Sequence, residues 1–192
     1  MCVRHGIDII YHATFADEEA LDLLEANRDR CFVGPALGLT YQACHAASEW
    51  GFTPEMAQKY GLVHELEVAV DTFGKMRKRG IRVLPGGDYG FAWNPHGTYA
   101  RDLLLFVDLL GFTPMETLVA ATRLGGEIMG RGTSWARSGP ATSPISSSWT
   151  AIPSPTSSAC SGRTPCSSIM KEGLLHKARR AARATGRTGR GK

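Results

Sequence analysis

The sequence predicts an α/β protein whose core is a small parallel sheet. Three short apolar runs, at residues 7–11, 31–33 and 81–84, are each followed by a stretch with helical spacing. Runs this short, with no apolar–polar alternation, suit strands buried on both faces, and crossover helices supply the cover. Each run stops at a turn signal: His12, Gly34-Pro35 and Gly86-Gly87. Parallel crossovers are right-handed, so the three strand ends fall on one rim.

Residues 1–5 read as the last turn of a helix, and Gly6 suits the left-handed residue beyond it. The first strand, 7–11, is closed by His12. Thr14 and Asp17 are candidate caps for a helix through Asn27, with Leu21, Leu23 and Leu24 on its apolar face. The second strand, 31–33, is followed by a long loop holding a short helix over 44–50. Thr53-Pro54-Glu55 opens the next helix as a cap followed by proline at the first helical position. That helix runs to Arg79 with a break at Tyr60-Gly61, and Val63, Leu66, Val70 and Phe73 mark its buried stripe. Gly80 ends it and the third strand, 81–84, begins. A loop carrying Asp88 and His96 leads to a helix over 100–110. Thr113-Pro114-Met115-Glu116 is a capping box for a last helix to Met129.

The chain has 192 residues and 43% apolar content, enough for one globular domain. No apolar run reaches membrane-spanning length and none reads as a secretory signal. The five cysteines, Cys2, Cys31, Cys44, Cys160 and Cys166, form no CxxC pair. The expectation is a reduced, cytoplasmic chain, not a disulfide scaffold or a zinc ribbon. The net charge of +4 belongs to the tail: residues 171–192 hold eight Lys/Arg against one Glu, and 1–170 hold 14 basic and 17 acidic residues, a net −3.

The stretch Arg82-Val83-Leu84-Pro85-Gly86-Gly87-Asp88-Tyr89-Gly90 concentrates the chemistry. Glycines let the chain turn sharply and a ligand approach closely, and in strand–helix barrels catalytic groups sit at strand C-termini. An Asp after Gly-Gly is also an ordinary turn residue, and a single His after a strand is often structural. His12 and Asp88 on one rim raise the case for a metal or acid–base site.

Gly6-Ile7-Asp8-Ile9-Ile10-Tyr11-His12-Ala13-Thr14-Phe15, with Asp17 to Leu21 behind it, resembles the sixth-strand segment of metal-dependent amidohydrolases, in the imidazolonepropionase-like and Xaa-Pro dipeptidase-like branch. Gly86 to Gly90 with Pro95-His96-Gly97 resembles the eighth-strand segment. Residues 113–122 resemble the helix after it. The three segments follow the family's order and spacing over roughly residues 1–130; Gly87 departs from it, standing where the family usually has Thr.

The resemblance implies part of a TIM-like (β/α)8 barrel, strands six to eight with their helices. It also implies a divalent metal, usually zinc, at the strand C-termini. By the same token His12 is the strand-six ligand, Asp88 the strand-eight ligand and acceptor of the attacking water's proton, and His96 a substrate contact or a structural cap of its loop. The implied substrate is a small amide-like or peptide-like molecule, hydrolysed at an amide, peptide or cyclic C–N bond. His5, His45 and His64 read as surface or packing residues. The chain contains no His-x-His, and a full barrel needs roughly 250 residues. It therefore reads as the C-terminal portion of an amidohydrolase, with barrel edges open to self-association. A non-catalytic fragment or pseudoenzyme is the alternative.

From 133 to 168 the composition changes: Ser, Thr and Pro supply 22 of 36 residues, and Leu, Asp and Glu are absent. This segment, 131–168 with its lead-in, reads as irregular and as translated out of frame. With GC-rich codons assigned to 133–144, the shifted frame reads Asp-Glu-Leu-Gly-Gln-Val-Arg-Pro-Gly-Tyr-Leu-Ala, a string like the one the family carries there. Residues 169–176 read as a remnant of the family's final strand. The Arg-rich stretch 177–192 reads as a disordered basic end; a nucleic-acid-binding arm is the alternative, and no stacking aromatic accompanies it.

Overall fold

In the computed structural model, residues 1–132, 145–149, 166–171 and 174–178 are described. Three strands, β1 (Ile9–Tyr11), β2 (Phe32–Gly34) and β3 (Arg82–Val83), form one parallel sheet in the order β1-β2-β3. Register pairs Ile9 with Phe32, Tyr11 with Gly34, and Val33 with Val83. Gly34 leaves room for its partner's side chain: a Cβ there would lie 3.1 Å from the Tyr11 ring.

The helices are α1 (Glu18–Ala26), α2 (Leu37–His45), α3 (Pro54–Lys59), α4 (Leu62–Lys78), α5 (Arg101–Asp108), α6 (Pro114–Val119) and α7 (Gly125–Ile128). Asp17 caps α1 by accepting from the Ala20 amide, and Thr53 caps α3 by accepting from Met56. The break expected at Tyr60-Gly61 is present, with Gly61 left-handed at φ 77°. A π-helical stretch, Ala120–Leu124, joins α6 to α7. The long loop and the helix expected at 44–50 are corrected: α2 begins at Leu37, straight after the second strand, and only a 3-10 turn occupies Ser48–Trp50. Here Leu37 and Ala43 are buried in the core, a tertiary contact that outweighs the weak local helix signal.

Leu21, Leu24, Val33, Ala69, Phe73, Met76, Val83, Leu105 and Phe106 form the core between sheet and helices. The stripe of α4 is turned from the expected one. Ala69, Thr72, Phe73 and Met76 are buried, while Leu66 and Val70 pack at its margin. Arg79 at the end of α4 holds α1 through Asp22 at 2.6 Å and Glu18 at 2.5 Å.

The capping box at α6 is complete: Thr113 Oγ1 accepts from the Glu116 amide, and the Thr113 amide donates to Glu116 Oε2 at 2.7 Å. Arg77 adds a charged partner at 3.0 Å. The backbone bond first, then Arg77, pulls the Glu116 carboxyl down to about 2. A depressed carboxyl contributes stability above its ordinary pKa that is lost as pH falls through the folded one. Glu116→Gln is therefore expected to cost about 0.5–1 kcal/mol at neutral pH, small because the pair is solvated. It should also flatten the loss of stability between pH 4.5 and 2. Urea titrations of both proteins across that window check this.

A second sheet corrects the expected irregular C-terminal region in part. Strands β4 (Ile145–Trp149), β5 (Cys166–Lys171) and β6 (Leu174–Ala178) pair antiparallel in the order β4-β5-β6. The expected single final strand at 169–176 is two strands, and 177–178 end β6 instead of opening a tail. Composition argued only from apolar burial, whereas a ladder formed across some 20 residues satisfies the backbone of Ser-rich segments too. The remainder of 131–168 beyond residue 132, with its out-of-frame reading, and the basic stretch 179–192 lie outside the described residues.

Candidate active site

The sheet's C-terminal ends are fastened to one another beyond the strands. The His12 amide donates to the Gly34 carbonyl at 2.8 Å, and the Ala36 amide to the Gly86 carbonyl at 2.8 Å. Three non-glycine residues take left-handed conformations at these ends: His12 at φ 66°, Ala13 at φ 57° and Ala36 at φ 53°. Each costs of order 1–3 kcal/mol and persists because its surroundings over-determine it, as such residues do at functional rims.

His12 and Asp88 meet there. The imidazole Nε2 lies 3.5 Å from Asp88 Oδ2, with both side chains half-exposed. Asp88 is held through its backbone: the amide of Asn94, a residue only 1% exposed, donates Nδ2–H to the Asp88 carbonyl at 2.6 Å. Asn94 also accepts from the Gly90 amide at 3.0 Å, so the loop after β3 is closed on itself. His96 sits on this loop with its Nδ1 3.0 Å from the Tyr99 hydroxyl. Its other nitrogen faces Gly90, where a Cβ would come within 3.1 Å.

The sequence reading missed Asp102 and Tyr89. Asp102 on α5 is 4% exposed and its Oδ1 has no hydrogen-bond partner among the described residues. Burial raises its carboxyl pKa, and the hydrogen bond with Tyr89 opposes that rise only in part. The Tyr89 hydroxyl is pushed up in turn by burial and by the Asp102 charge. These two, with Gly86, Gly87 and Tyr99, line a cleft of about 450 Å³ under the loop. A signal was available: Asp102 falls three and four residues before Leu105 and Phe106, on the buried stripe of its helix.

A tetrahedral zinc site with bonds of about 2.1 Å has ligand atoms about 3.4 Å apart. His12 Nε2 and Asp88 Oδ2, at 3.5 Å, fit two such corners. Among the described residues no cluster of three or more His, Cys, Asp or Glu is placed to hold an ion. No helix among them is long and apolar enough to cross a membrane.

In fold the chain is similar to part of the solved structures of amidohydrolase-like proteins. A Xaa-Pro dipeptidase solved with methionine in its active site superposes with a TM-score of 0.74 at 21% identity, covering 92% of this chain and 41% of that one. A prolidase complexed with N-methylphosphonate-L-proline gives 0.75 at 20%, covering 92% and 42%. The ochratoxinase of A. niger gives 0.70 at 20%, covering 92% and 38%. The chain thus spans about two-fifths of the length of these structures. No family model matches it, and no curated protein does.

Proposed function

We propose that this chain belongs to a metal-dependent hydrolase of an amide, peptide or cyclic C–N bond. The observation that carries the reading is the 3.5 Å approach of His12 to Asp88 on the rim. The solved proteins of like fold include a Xaa-Pro dipeptidase and a prolidase, which supports an amide-like or peptide-like substrate. On this reading the three parallel strands correspond to strands six to eight of a barrel.

His12 Nε2 and Asp88 Oδ2 would hold a divalent ion, zinc by the chemistry of an imidazole and a carboxylate. Such an ion, when bound, lowers the pKa of water toward about 7. Asp88 would be the acceptor of the attacking water's proton, and the Asn94 bond holds its backbone in place. His96, whose ring is braced by Tyr99, would contact the substrate. The pair is two donors where a firm site uses three or four, so this chain by itself holds the ion loosely.

Cobalt titration tests the donor pair, because four-coordinate Co²⁺ absorbs visible light far more strongly, and at longer wavelength, than the pink aquo ion. The expected result is weak saturable absorption that His12→Ala and Asp88→Asn each remove. Equal cobalt binding in the double variant overturns the assignment.

A further inference from the structure

We propose that the rings of Phe91, Trp93, Phe52 and Tyr60 form a subsite for a flat, apolar side chain of the substrate, an aromatic acyl-amino-acid residue; this rests on the hydrolase reading above. The four rings stack in series: Phe91 on Trp93 at 5.5 Å, Trp93 on Phe52 at 5.8 Å and Phe52 on Tyr60 at 6.0 Å, with interplanar angles of 28°, 22° and 19°. These separations are those of offset-stacked pairs. Phe91 and Trp93 come from the loop that also carries Asp88, while Phe52 and Tyr60 bracket α3, so the rib bridges two parts of the chain.

Folding leaves the rib open: Phe91 is 45% and Tyr60 63% exposed. A contiguous aromatic surface of this kind marks a binding site more often than a single exposed ring does. Its position names the occupant. Phe91 follows Asp88 by three residues, so their Cα atoms are within about 11 Å, the reach of a short extended peptide. A substrate cleaved at Asp88 therefore lays a neighbouring side chain on the rib. The Trp93 indole N–H is buried and has no acceptor among the described residues. Shielded as it is, this N–H is a reporter of a ring that settles on the exposed end of the rib, not itself a contact to the ligand. Asn94, locked against Asp88 and bridged to Phe91, keeps rib and carboxylate in one frame.

The test uses the full chain without metal, so that it does not depend on the His12–Asp88 pair. N-acetyl-L-phenylalaninamide, N-acetyl-L-leucinamide and N-acetylglycinamide are titrated while the indole N–H resonances are followed by NMR, that of Trp93 being assigned from its loss in Trp93→Phe. The phenylalanine probe is expected to shift the Trp93 resonance saturably and to bind at least fivefold more tightly than the glycine probe, with the leucine probe between. Phe91→Ala, an exposed truncation, should weaken the phenylalanine probe about two- to tenfold. Tyr60→Ala, at the far end of the rib, guards against a loop collapse in Phe91→Ala, and the unshifted resonances of Phe73 and Phe106 report an intact core. Equal response to all three probes, no response up to their solubility, or full affinity in both ring truncations overturns the subsite. Cobalt binding retained alongside such a failure would leave the hydrolase reading standing.

Discussion

Zinc added to the purified chain is expected to bind weakly and to give no turnover of acyl-amino-acid or dipeptide amides above the rate in buffer. His12 and Asp88 stand at the separation of two zinc ligands, and no third donor joins them among the described residues. Structural zinc sites with three or four protein ligands reach apparent binding energies of about 10–16 kcal/mol, and a half-exposed pair falls far short of that. Solvent access works against turnover as well. The rim is open, and electrostatic stabilisation of a developing oxyanion needs a site from which water is excluded. The measurement is bound zinc after dialysis together with product release over hours. Stoichiometric zinc with turnover that vanishes in Asp88→Asn would show a complete site and overturn the expectation.

Gly38→Ala is expected to destabilise the protein by about 1–3 kcal/mol, although alanine is the better helix former. Gly38 begins the second residue of α2 and faces α5, where a methyl group would fall inside the contact radius of Asp102 Oδ1. The carboxyl is 4% exposed and hydrogen-bonded to Tyr89, so moving it disturbs that contact. Gly74 on α4 is the internal control: nothing lies within 4 Å of its missing Cβ, so Gly74→Ala should instead stabilise by about 0.5–1 kcal/mol. In the double variant Gly38→Ala/Asp102→Ala the clash is gone, so the two changes should be strongly non-additive. Urea denaturation of the wild type, of Gly38→Ala, Gly74→Ala and Asp102→Ala, and of the double variant measures all of this. A Gly38→Ala protein as stable as Gly74→Ala would mean that α2 and α5 do not approach as closely as the structure has them.

Local signals along the chain determined much of the fold. The apolar runs placed three parallel strands, each within two residues at either end of those observed. Thr53-Pro54, the Tyr60-Gly61 break, Gly80 and the Thr113–Glu116 box set helix ends, because caps and left-handed glycines act over four residues and need no distant partner. The crossover rule put His12 and Asp88 on one rim, and their 3.5 Å approach agrees with it.

Only the tertiary structure decided the rest, and in each case the cause is a contact between residues far apart in sequence. Helix α2 forms because Leu37 and Ala43 find a core to enter. The stripe of α4 turns toward Ala69 and Met76 because the sheet and α5 lie on that side. Asp102 becomes a buried carboxyl only when Gly38, Gly87 and Tyr89 close around it, and desolvation, the largest cause of its raised pKa, does not exist in the open chain. The rib of Phe52, Tyr60, Phe91 and Trp93 joins residues some 40 positions apart, so no local pattern could reveal it. The ladder of β4, β5 and β6 likewise depends on pairing between segments separated in sequence. Backbone geometry is written in neighbouring residues, whereas burial and side-chain encounter are properties of the folded chain as a whole.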